Sequence, residues 1–185
     1  MKNKVLLFPV FILFIAVFSS CKNPPKPNVV YANSFNNFEA DGMDTTFKMQ
    51  GAAYSGKYFI HADSSNVYPY NQVFVLPDSL KNTSLKIFVT AYVRSSEKNP
   101  VASFAATIAG KDSASFTWKE MFMTNQVINP DQWNIFTDSI EVSKEETAFL
   151  PLKISVFGFC PSKKKYMDFD DVSITIKSNF KEEEE

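Results

Sequence analysis

Twenty acidic residues against 19 lysines and arginines leave this 185-residue chain with a formal charge of −1, so it has no broad basic field for nucleic acid. Its single histidine, His61, excludes a His-rich zinc site and leaves any Ser-His-Asp arrangement without support, and its five glycines form no phosphate-cradling loop. Phenylalanine is abundant, at 19 residues, enough to fill a substantial core.

In chain order, Lys2 and Lys4 precede an apolar run over residues 5–18, and Ser19 and Ser20 follow it. The run is shorter than the roughly 20 residues of a membrane span and has the layout of a secretory signal. Ser19-Ser20-Cys21 resembles a bacterial lipobox, with Phe18 where leucine is usual. That resemblance implies a signal peptide over 1–20, a diacylated Cys21 and anchoring to the outer membrane, facing either the periplasm or the cell surface. The residues also allow an ordinary signal cut near Ser20, or a Cys21–Cys160 disulfide; Cys160 alone reads as a small buried thiol. Residues 21–28, with three prolines, read as a stiff tether that also carries two lysines, and residues 179–185 as a solvated acidic tail. The intervening 29–178 has the size of one domain.

Within that domain, period-two segments recur between turn residues, at 30–35, 57–63, 71–76, 85–96, 101–110, 115–124, 133–142, 151–159 and 166–176. None carries a sustained helical stripe, so the class is all-β, a sandwich or barrel. The clearest strand alternates Leu85, Ile87, Val89, Ala91 and Val93 with Lys86, Phe88, Thr90, Tyr92 and Arg94. The last, YMDFDDVSITI, changes phase: Met167 and Phe169 fall on one parity, and Val172, Ile174 and Ile176 on the other. A bulge at Asp170–Asp171 would reconcile them, turning Asp170 inward and Asp171 to water. Asp168 has no evident role.

NNFEADG (36–42), AYSGKYFIHA (53–62), LKIFVTAYVRSS (85–96), INPDQWNIFTDSIEV (128–142) and YMDFDDVSI follow one another in an order that resembles jelly-roll carbohydrate-binding modules of the galactose-binding-like type. Two departures are the missing glycine before Trp133 and the missing tryptophan after Glu39. The resemblance implies a single antiparallel jelly-roll β-sandwich. It also implies a structural Ca²⁺ held by the Glu39 carboxylate, a carbonyl of the turn ending at Lys57, and Asp170. The residues alone favour Asp170 accepting backbone amides at the strand entry, with no metal.

No pair of carboxylates is singled out for glycoside hydrolysis, so the chain reads as a non-enzyme. Binding is the better expectation, through aromatic rings with polar groups beside them. Tyr92 and Arg94 lie opposite the aliphatic stripe of their strand, Phe116 and Trp118 share one parity, Phe157 and Phe159 another, and Tyr68 and Tyr70 sit in the loop VYPYNQ. Tyr92, Trp118, Arg94, Tyr68 and Tyr70 are therefore the candidate ligand contacts. The expected partner is a glycan or polysaccharide. The alternative is a structural or adhesive surface lipoprotein of Bacteroidota type that makes protein contacts through the same sandwich.

Overall fold

A computed structural model describes residues 29–40, 47–110, 117–124, 126–127, 129–148, 152–161 and 165–178. The expected signal peptide (1–20), the lipidation residue Cys21, the tether (21–28) and the tail (179–185) lie outside the described residues, as does Phe116.

Ten strands are present among the described residues: β1 Val30–Asn36, β2 Lys48–Gln50, β3 Tyr58–Ala62, β4 Asn71–Leu76, β5 Leu85–Ser95, β6 Ser103–Gly110, β7 Thr117–Phe122, β8 Asn134–Val142, β9 Leu152–Phe159 and β10 Met167–Ser178. They form two antiparallel sheets, one ordered β2-β3-β10-β5-β8 with β1 also on β10, the other β4-β9-β6-β7. This is the all-β jelly-roll sandwich expected from the sequence. Only β2 is unforeseen, because three residues are too few to display an alternation.

The aliphatic stripe of β5 faces Phe104, Ile154 and Val156 across the sandwich, all of them fully buried. Phe169 packs edge-on against Phe104 at 5.2 Å between centroids. Its ring also reaches across to Gly158 on β9, where a Cβ would stand only 3.1 Å from it. Gly158 is thus a close-approach glycine rather than a flexible one.

β10 organises its sheet. One edge pairs with β5 throughout; the other is divided, Met167–Phe169 pairing with β3 and residues from Val172 to Lys177 with β1. Between Asp170 and Ser173 its register against β5 shifts, so three steps on β10 match two from Tyr92 to Thr90. Asp171 takes the left-handed conformation there, with φ of 47°. The bulge places Met167 and Phe169, and then Val172, Ile174 and Ile176, in the same core. It leaves Asp168 and Asp170 on the opposite side of the strand. Asp170 is therefore buried not in the core but on the outer face of the sheet, beneath residues 51–57. Asp171 is half-buried against the Ser55 hydroxyl rather than facing water.

Replacing Phe169 by alanine removes a fully buried ring wedged between Phe104 and Gly158, and should cost about 3–5 kcal/mol, read as a loss of unfolding free energy in urea.

Candidate functional site

The two outer faces of the sandwich differ. On the six-stranded sheet, residues 51–57 are tied down over β3, β5 and β10. Tyr54 N and Ser55 N donate to Asp170 Oδ2 at 2.8 and 3.0 Å, and Ser55 Oγ donates to Asp171 Oδ1 at 2.7 Å. Lys57 N and Tyr58 N donate to Glu39 Oε1 at 2.8 and 2.9 Å. Gly56 turns with φ of 67°, and a Cβ there would collide with the Glu39 carboxylate. The loop's Ala52 carbonyl accepts from Arg94 Nη1 and Trp133 Nε1, each at 3.0 Å.

Asp168, the aspartate without an evident role in sequence, anchors the same region. It is 2% exposed and accepts from Arg94 Nε and Nη2 on Oδ2 at 2.9 and 2.8 Å, while Oδ1 meets His61 Nδ1 at 2.6 Å. The Arg94 guanidinium also lies 5.0 Å from the Phe59 ring and 4.7 Å from the Trp133 ring, a cation held between two aromatic faces. Burial pushes the Asp168 carboxyl up, and the His61 and Arg94 hydrogen bonds pull it down. Asp170 is likewise raised, by burial and by the neighbouring Asp171 charge, which outweigh the amides of Ser55, Asp171 and Tyr54. Glu39, half-buried, is lowered by the Lys57 and Tyr58 amides.

The donors that the resemblance assigns to calcium all meet this loop. Carboxylates and a carbonyl are the hard oxygens calcium takes. Here, however, the Lys57 carbonyl accepts from Gly51 N at 3.0 Å, Glu39 Oε1 takes two amides, and Asp170 engages both oxygens, Oδ1 accepting from Asp171 N at 2.8 Å. An ion would share oxygens already in use. Among the described residues no three His, Cys, Asp or Glu side chains group as metal ligands. The set suits calcium in kind, and further carbonyls or waters would have to complete its six to eight ligands.

The outer face of the four-stranded sheet is open and aromatic. Trp118 on β7 meets Phe157 and Phe159 on β9 at 5.1 and 5.8 Å, in edge-to-face geometry. Tyr68 stacks on Phe159 at 5.3 Å and meets Phe157 at 5.6 Å. Strands lie about 4.8 Å apart, so β7 and β9, with β6 between them, stand about 10 Å apart. Their rings can touch because the outward β6 residues are small: Ala105 lies opposite Phe157, and Thr107 opposite Trp118. Trp118 Nε1 donates to Glu120 Oε1 at 2.5 Å, which fixes the indole while its ring stays 38% exposed. Tyr68 and Phe122 are more exposed still, at 55% and 59%. Beside Tyr68 opens a cleft of about 330 Å³ that Tyr70 helps to line.

Trp118, Tyr68 and Tyr70 thus belong to one region, around the four-stranded face and its margin. Tyr92 and Arg94 belong to the other face, where Tyr54 stacks on Tyr92 at 3.3 Å between centroids and Arg94 is engaged with Asp168. Sequence reasoning did not connect His61 with Asp168. The one available signal was that Asp168 shares its parity with Asp170 on a strand whose other parity is core.

No family model matches the chain, and no curated protein matches it. Among solved structures, a family 16 carbohydrate-binding module is similar, with 14% identity over 69% of this chain and 82% of that one and a TM-score of 0.43. The CBM22-1 xylan-binding domain of Xyn10C from Paenibacillus barcinonensis has 13% identity over 83% and 86% of the two chains, TM-score 0.38. A cyclase from Fischerella sp. TAU has 14% identity over 74% and 72%, TM-score 0.40. Binding modules and an enzyme thus stand side by side at this level of likeness, which assigns neither ligand nor activity to this chain.

Alanine at Gly56 would force a left-handed residue into the Glu39 carboxylate, so Gly56→Ala should lose about 1–3 kcal/mol in urea unfolding and raise amide exchange at Lys57 and Tyr58.

Proposed function

We propose that the chain is a non-catalytic binding protein of the cell envelope, anchored by lipid on Cys21 in the outer membrane, that takes carbohydrate on the outer face of its four-stranded sheet. The observation that carries this reading is the contact of Trp118, Tyr68, Phe157 and Phe159 across a floor of small β6 residues. Such rings offer apolar surface to the faces of sugar rings. Glu120, Thr107, Ser155 and Asn71, in register on the same face, supply groups for hydroxyls. Tyr92 and Arg94 serve the clasp on the other face instead.

A second reading, protein contact through this face, draws on the exposed Phe122 and Val75, at 59% and 73%, which extend its apolar surface. Binding measurements separate the two. Trp118→Ala should weaken binding to a neutral polysaccharide by about tenfold or more, the loss of one aromatic contact, without lowering the melting temperature appreciably. Absence of binding by the wild type across neutral glycans would favour protein contact.

The structural Ca²⁺ at Glu39, Lys57 and Asp170 is part of the proposal, supported by the meeting of both carboxylates on one loop. EGTA should then lower the melting temperature and added Ca²⁺ restore it; an unchanged transition removes the ion. Lipid anchoring is read from the intact mass of the membrane-extracted protein. Diacylation at Cys21 adds the lipid mass, and Cys21→Ala should leave the chain soluble.

A further inference from the structure

Two residues belong to both the aromatic platform and the neighbouring cleft. Tyr68 stacks on Phe159 and also lines the cleft. Asn71 pairs with Phe157 on the outer side of β4, and it lines the cleft as well. The cleft and the platform thus adjoin at Tyr68 and Asn71, at the edge strand β4. At about 330 Å³, the cleft is at the small end of ligand pockets. Phe38, Phe47 and Tyr70 give it apolar walls, Asn36, Asn71 and Gln72 give it amides, and no charged side chain lines it among the described residues. Such a lining accepts a neutral ring with one apolar side and several hydroxyls.

Tyr70 makes the floor of the cleft continuous with the core. It is 6% exposed, part of the core as well as a wall of the cleft, and its hydroxyl is sealed beside that of Ser34 on β1. Burial pushes the Tyr70 phenol up to about 12, and its hydrogen-bonding interaction with the neighbouring Ser34 hydroxyl pulls the other way, so the two hydroxyls face one another in the interior.

We infer that the cleft is a subsite for one further neutral sugar ring of a glycan whose other rings lie on the platform of Trp118, Phe157, Phe159 and Tyr68. The inference rests on the carbohydrate reading of the platform, and its test separates the two. The probes are methyl glycosides of glucose, xylose and galactose, and neutral β-linked oligosaccharides of two to six units. They are titrated into the full chain by NMR and calorimetry.

The expected result is that shifts at Gln72, Asn71 and Tyr70 accompany those at the Trp118 indole once the oligosaccharide is long enough to reach both. Gln72→Ala, a replacement on the edge strand β4, should keep the wild-type melting temperature. It should lose about tenfold in affinity for the longer probes alone, and Gln72→Glu, which sets a charge in the neutral lining, should do the same. Shifts at Trp118 alone, with both variants binding every length as wild type does, would overturn the subsite and keep the platform. Shifts at Tyr70, Asn71 and Gln72 but not at Trp118 would keep the cleft and overturn the platform. Shifts at neither would overturn both.

Discussion

A carboxylate taken out of water must find donors, and β10 takes two. Asp168 and Asp170, at 2% and 0% exposure, stand on the same side of one strand, and most of the sheet around them is arranged to satisfy that requirement. Asp170 gathers the amides of Tyr54 and Ser55, so the chain before β3 must fold down over the sheet. Asp168 takes Arg94 from one neighbouring strand and His61 from the other, cross-bracing β5, β10 and β3 above their backbone ladders. Arg94 in turn reaches the Ala52 carbonyl, which Trp133 also holds. The acids, the loop and the aromatic rings form one network in which each polar group answers another.

That network explains why the two faces of the sandwich differ in exposure. The six-stranded face spends its aromatic and charged residues on itself: Tyr92 lies under Tyr54, and Arg94 between Phe59 and Trp133. The four-stranded face has no such cover from the described residues. Small residues along β6 form a low floor there, and rings from the strands on either side lean across it to meet. The difference is one of side-chain size at a few outward positions, with no change in backbone architecture. The open sheet accordingly keeps its rings accessible, whereas the closed one has them packed under the loop.

Much of the fold was legible because strand periodicity is local. The alternation over 85–95 assigns β5 and its buried face without reference to any other strand. The same logic located the bulge, since a core strand cannot change parity between Phe169 and Val172 without an added residue. The meeting of Glu39 and Asp170 on the loop before β3 came from family resemblance rather than periodicity, and the hydrogen bonds there agree with that convergence. The site was less legible. Alternation says that Tyr92, Arg94 and Trp118 point away from the core, but not what lies above them.

By itself, then, the sequence determined the all-β class, the buried stripe of each long strand and the place where β10 must bulge, because each follows from residues adjacent in the chain. Only the tertiary structure decided which outward face is covered. The cover over Arg94 comes from Ala52, 42 positions away, and the partner of Asp168 is His61, 107 positions away. It also decided that Tyr68 and Trp118 share one platform, since the rings joining them stand on β9, which β6 separates from β7. Side-chain direction is a local property of a strand, whereas exposure depends on what distant parts of the chain pack against it.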